Sequence, residues 1–210
     1  ATPEMIGHFS KLLKVEYPWD KYHQIVVRDY VSGAMENTGA VIFGDYAYKT
    51  ERELLDDNDQ STIAHELSHH WFGDLVTAES WSNLTLNESF ANYSQYLWDD
   101  YKYGRDEADY QAVKEEDGYM QSSQMGGYHE LAWFHYSDKE KMFDGHSYNK
   151  GGRILHMLRN YLGDDAFFTA LSKYLNDNKF KAAEYHQLRL AFEEVCGEDL
   201  NWFFKQWYES

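Results

Sequence analysis

Residues 62 to 73 read T-I-A-H-E-L-S-H-H-W-F-G, with three histidines and one glutamate inside six positions. No other stretch narrows the options of this chain so much. Asp59 and Ser61 are candidate N-caps and Gly73 a candidate stop, so the segment reads as a helix over about 61–73. His65 and His69 then lie one turn apart on one face. His70 falls roughly 140° further round than His65 and is left to pack or hydrogen-bond elsewhere. Two imidazoles at that spacing can converge on one zinc ion, with Glu66 in reach of a water at the same place. The pattern is short, and an amphipathic helix with half-buried histidines and no metal is its other reading.

A hydrolytic zinc site takes a third protein ligand and leaves one position open. Glu88 is the candidate, with eighteen residues between it and His69. Its surroundings, L-T-L-N-E-S-F-A-N-Y, bury Leu86, Phe90 and Ala91 and turn the acid inward. An inward carboxylate is costly unless it is paired or bound to a metal. The alternative is an ordinary glutamate near a helix start, favoured by the helix dipole. Asn92, four residues later on the same face, or a nearby acid, orients a ligand histidine from behind, or Asn92 is a plain surface amide.

The 210 residues suffice for one domain with a real core, or one domain of two lobes. At 43% hydrophobic and 18% aromatic the chain is too apolar to be disordered, and two prolines without a Ser/Gly-rich tract mark no linker. A formal charge of −17 argues against nucleic acid and against anionic membranes, since both need a basic surface. It could steer amine-bearing ligands or simply keep the protein soluble. The lone Cys196 excludes an internal disulfide and fits a reducing compartment. With no run of transmembrane length and no signal-peptide pattern, no membrane insertion is expected. The expected location is cytoplasmic, with periplasmic or secreted settings left open.

Residues 1–18 read as a short helix or turn segment, and 24–31 and 39–48 as strands flanking G-A-M-E-N at 33–37. A second helix should start near Leu86 or Asn87 and end at Gly104. Beyond it the pattern is helical over 106–117, 150–162, 164–175, 183–195 and 199–208, broken at G-D, N-D-N and G-E. The aromatic run at 128–136 reads as helix packing, with His129 and His135 off ligand spacing, and the acids at 56–59 as a solvated loop. Trp71 and Phe72 read as core anchors, and Gly126-Gly127 and Gly151-Gly152 as turn or close-packing glycines. The fold class is α+β, with a small strand-bearing lobe at about 1–75 and a mainly helical lobe at about 76–210.

Taken together, G-A-M-E-N at 33–37, H-E-L-S-H at 65–69 with W-F-G after it, L-N-E-S-F-A at 86–91 and S-Y-N-K-G at 147–151 resemble one family. It is the zinc aminopeptidases of the glutamate-zincin clan, the family of aminopeptidase N and leukotriene A4 hydrolase. The resemblance implies a thermolysin-like catalytic domain, one Zn2+ per chain, and peptides with a free N-terminus as substrates. It implies His65, His69 and Glu88 as zinc ligands and Glu66 as general base. It also implies Glu36 as the carboxylate for the substrate amine, Gly33 and Ala34 as backbone along the substrate, and Tyr148 as stabiliser of the tetrahedral intermediate.

Ser89 departs from the glycine usual after the third ligand, and is expected to alter helix packing there. Members usually carry a β-sandwich before this region and a helical domain after it. Those flanking domains are the expected neighbours of this piece in a longer parent chain. Met35 is placed to line the first specificity pocket. Two rival readings remain: a thermolysin-type endopeptidase, which gives Glu36 no task, and a catalytically silent domain that binds zinc. No Cys or His stands where it could close a structural zinc site.

Overall fold

Glycine stops and apolar spacing translate into eight α-helices and five short strands in the computed structural model, which describes all 210 residues. Helix α1 (Thr2–Leu13) has proline in its first turn and ends where Lys14 turns left-handed. Strands β1 (His23–Val26), β2 (Ala34–Met35) and β3 (Ala40–Phe43) form a sheet in the order β1-β3-β2. β1 runs parallel to β3 and β2 antiparallel to it, so β2 is an edge. Helix α2 (Gln60–Ser68) carries the histidine motif, β4 (Val76–Ala78) follows, and α3 (Thr85–Lys102) and α4 (Arg105–Gly126) are the two longest helices. One turn of π-helix (His146–Lys150) leads without a break into α5 (Gly151–Leu162). The chain ends with α6 (Asp164–Asn178), β5 (Lys181–Ala183) parallel to β4, α7 (Tyr185–Cys196) and α8 (Asn201–Trp207). The α+β class and the division into a strand-bearing first lobe and a mainly helical second lobe match the expectation. No helix is long and apolar enough to cross a membrane.

The core explains how the motif helix is held. Trp71 and Phe72 are buried, and Phe72 stacks on Phe90 of α3 with ring centres 4.2 Å apart. The Trp71 indole N–H donates to the Val15 carbonyl, tying α2 to the end of α1. α3 packs against α2, α4 and α5. At the α3–α5 crossing a Cβ on Gly151 would overlap Ser89 and one on Gly152 would overlap Asn92, so both glycines are there for close approach.

Several boundaries differ from the sequence reading. The first two strands are shorter, because Asp29 turns left-handed and Gly44 opens a 3-10 turn at Asp45–Ala47. The motif helix stops at Ser68 instead of 73. Past it the chain folds back, with the Gly73 N–H on the Val76 carbonyl and the Asp74 N–H on the His69 carbonyl. Asp59 occupies the N-cap position but caps nothing with its side chain, since Lys49 bridges it to Asp57. The acidic loop is thus partly neutralised rather than simply solvated. Residues 128–136 form no helix; they run as irregular chain after α4, with Leu131 and Ala132 buried in the core, and α4 itself continues well past 117 to Gly126. Strands of three residues, β4 and β5, were too short for any period to show.

Candidate active site

His65 in the last turn of α2, His69 just past it, and Glu88 in the first turn of α3 point at one spot. Glu88 Oε2 lies 3.3 Å from His65 Nε2 and 3.5 Å from His69 Nε2. The three donor atoms all fall within 4.8 Å of one another, and the His69 and Glu88 side chains are almost fully enclosed.

The far side of each ring decides its tautomer. His69 Nδ1 faces the Phe72 carbonyl at 3.0 Å, and His65 Nδ1 faces Gln95 Oε1 at 3.2 Å. Both partners are acceptors, so each Nδ1 carries its proton and each Nε2 turns a lone pair toward Glu88. Glu88 Oε2 is buried with no hydrogen-bond donor. Two lone pairs and a carboxylate oxygen facing each other call for a positive charge between them. Two imidazole nitrogens and one carboxylate oxygen are a donor set that zinc accepts with a position left open. The protonation balance states the same demand. Burial works against charging His69, yet the carboxylates of Glu88, Glu36 and Glu66 outweigh it and push its pKa up to about 10. Glu88 is held low in spite of burial by the same two histidines.

Around this trio stand the other expected residues. Glu66 is 6% exposed, its Oε2 has no donor, and burial raises its pKa to about 7 against the pull of His65 and His69. Glu36 leaves the end of β2 and brings Oε1 to 4.0 Å from His69 Nδ1; Glu36, Glu66 and His69 form a second close cluster. Ala34 pairs with Phe43 and Met35 with Ile42, and the Gly33 carbonyl accepts the Gly44 N–H, so this edge strand is held from one side only. Met35 is 37% exposed. Tyr148, from the π turn, lies parallel to the His65 ring with centres 5.9 Å apart. Burial, then the nearby carboxylates, raise its pKa and keep it a neutral donor.

His70 turns away from the cluster, as the helical angle requires. Its Nδ1 donates to the Glu66 carbonyl and its Nε2 accepts the Gly39 N–H at 3.0 Å, which ties the motif helix to the loop entering β3. Burial drops its pKa to about 4, consistent with a neutral ring. Asn92 does not touch a ligand histidine. Gln95 does, and Asn92 reaches Gln95, at 3.4 Å. Gln95 lies seven residues after Glu88 on the same face and has one more methylene than Asn92, so it spans the gap that Asn92 leaves. That i, i+7 spacing was the signal available in the sequence. Ser89, the departure from the family's glycine, fits the packing: its hydroxyl donates to the Ser147 carbonyl at 2.7 Å and meets Thr85.

With this geometry in view, comparison with known proteins gives one answer. A model of the peptidase family M1 domain matches residues 1–207. The tricorn protease-interacting factor F2 of Thermoplasma acidophilum is 34% identical over 98% of this chain and 27% of its own length. Aminopeptidase N of Streptomyces lividans is 35% identical over 100% and 25% respectively. This chain therefore spans about a quarter of the length of the curated relatives it matches. A crystal structure of an M1 zinc metallopeptidase variant from Deinococcus radiodurans superposes with a TM-score of 0.80 at 23% identity, covering 100% of this chain and 44% of that one, which establishes the shared fold.

Proposed function

The chain belongs to peptidase family M1, and from that premise we propose that it is the catalytic domain of a zinc aminopeptidase. It would remove the first residue from peptides with a free N-terminus. His65, His69 and Glu88 hold the zinc, and Glu88 Oε2 with its missing donor is the observation that carries the assignment. Bound there, zinc supplies Lewis acidity, polarising the scissile carbonyl and acidifying water.

The remaining work falls to this chain's own side chains. Glu66, with its pKa near 7, takes a proton from the attacking water and returns it to the leaving amine. The neutral Tyr148 hydroxyl donates to the oxygen on which charge develops, a contribution of about 3 kcal/mol in comparable sites. The free edge of β2 at Gly33 and Ala34 lies along the extended substrate, as an added strand would. Glu36 pairs with the substrate ammonium and stops the peptide there, which separates an aminopeptidase from an endopeptidase. Its carboxylate beside the His69 ring supports that role, and so do relatives bearing the name aminopeptidase.

The test pairs zinc content by elemental analysis with cleavage of free-amine aminoacyl reporters and their N-acetylated twins. One zinc per chain and turnover of the free amines alone is the expected result. Equal cleavage of both sets would move the assignment to an endopeptidase. Zinc without turnover would leave a silent zinc domain, and no zinc would overturn the ligand set.

A further inference from the structure

A second cluster of His and Asp sits where the irregular segment 128–136 meets the π turn, away from the zinc ligands. Asp144 Oδ2 lies 2.9 Å from His129 Nε2 and 2.8 Å from His146 Nδ1. On composition it could hold a metal, but the tautomers say otherwise. His146 Nε2 accepts the His129 backbone N–H, so its proton is on Nδ1 and is donated to Asp144. That ring has no lone pair to offer a metal. His129 differs. Its Nδ1 faces the Glu130 carbonyl at 2.7 Å and its Nε2 faces the Asp144 carboxylate, so both nitrogens meet pure acceptors. Only a doubly protonated ring satisfies both.

The aromatic surroundings suit a cation as well. The His129 ring is sandwiched between Trp133, with centres 4.1 Å apart, and His146, at 3.8 Å. The groups facing it are Asp144 just before the turn, His146 and Lys150 of the turn, Tyr119 of α4, Tyr128 and Glu130 of its own segment, and Ser210 after α8. Lys150 alone opposes the charge. Burial also opposes it, but the Asp144 carboxylate and the Glu130 carbonyl more than offset both, leaving the His129 pKa above its ordinary value.

Asp144 connects this pair to chemistry. Its other oxygen, Oδ1, accepts the backbone N–H of His146 and of Ser147, and its carbonyl accepts that of Tyr148. The carboxylate thus holds the first backbone N–H groups of the π turn bearing Tyr148. We propose that His129 stands as an imidazolium whose ion pair with Asp144 fixes that turn, making His129 a positioning residue for Tyr148. Its catalytic consequence rests on the aminopeptidase reading above; its protonation and its hold on the turn do not. A raised pKa in the folded state means the pair is complete at lower pH and is lost as pH rises through the His129 value.

The test is a pH titration of the 210-residue chain by NMR, with histidine ring nitrogens and tyrosine rings labelled and Tyr148 assigned through Tyr148→Phe. Both His129 nitrogens should be protonated at pH 7, and the Tyr148 ring signals should shift with the same midpoint as His129. A neutral His129 at pH 7, or a Tyr148 signal indifferent to its titration, would overturn the proposal. In kinetics, His129→Gln should lower kcat at least about tenfold with little change in KM, and remove an alkaline fall in kcat that the unmodified chain should show. Full kcat with the alkaline limb intact would also overturn it. Absence of turnover by the unmodified chain on every substrate would count against the aminopeptidase reading, while the NMR titration would still decide the state of His129.

Discussion

Replacing Glu36 by glutamine isolates the charge that this reading assigns to amine recognition. The amide keeps the size and the acceptor oxygen, so β2 and the His69 contact should survive. Glu36 is about one-fifth exposed, which places it between surface and interior. Two unit charges about 4 Å apart at an effective dielectric of about 20 attract by about 4 kcal/mol. Part of that is cancelled by stripping water from both partners, leaving about 2 kcal/mol, in the range of hydrogen bonds to charged groups. The clean assay is a four-cornered binding cycle: an amino-acid hydroxamate and its desamino twin, each titrated against the parent chain and Glu36→Gln. Both compounds carry the same metal-binding hydroxamate, so only the amine term differs between them. The amino compound should lose about 30-fold in affinity and the desamino twin almost nothing, a coupling of about 2 kcal/mol. Equal losses for both, or a coupling below about 0.5 kcal/mol, would mean that Glu36 does not read the amine.

Three further outcomes follow from named contacts. Gly151→Ala forces a methyl into Ser89 at the α3–α5 crossing and should cost about 1–3 kcal/mol in a denaturant titration. Gln95→Ala removes the acceptor behind the His65 ring and should weaken zinc binding about 10- to 100-fold in competition with a chromogenic chelator. His156 accepts from the Tyr93 hydroxyl, and burial and three arginines lower its pKa to about 4. The unfolded chain takes up that proton below its ordinary value and the folded chain does not, so stability should fall as pH drops from about 6.5 toward 4. Discounted for its partial exposure, the loss is about 1–2 kcal/mol, and His156→Gln should flatten that stretch of a melting-temperature curve.

His129 shows what a linear reading misses. Its spacing matches no ligand motif, and 128–136 looked helical because its aromatics recur closely. The segment is irregular, however, and its partner Asp144 is fifteen residues away, across a turn that no period announces. Gln95 shows the intermediate case. It stood at a readable helical spacing from Glu88, yet choosing it over Asn92 needed the depth of the gap between α2 and α3.

The sequence alone determined what covalent helix geometry dictates: His65 and His69 on one face, Glu66 between them and His70 turned away. It also determined the breaks that end most helices, because glycine and turn residues act locally. Only the tertiary structure decided that Glu88 closes on both imidazoles, that Glu36 comes from a strand edge to the same ring, and that Tyr148 stacks on His65. It likewise decided that the motif helix stops at Ser68, where the chain folds back to pair near Val76. The reason is physical. An angle within one helix is set by bond geometry a few residues long, whereas a contact between elements depends on how many side chains pack at once. Here that packing turns on Gly151 and Gly152 letting α5 press close enough to α3 to bring the π turn to the histidines.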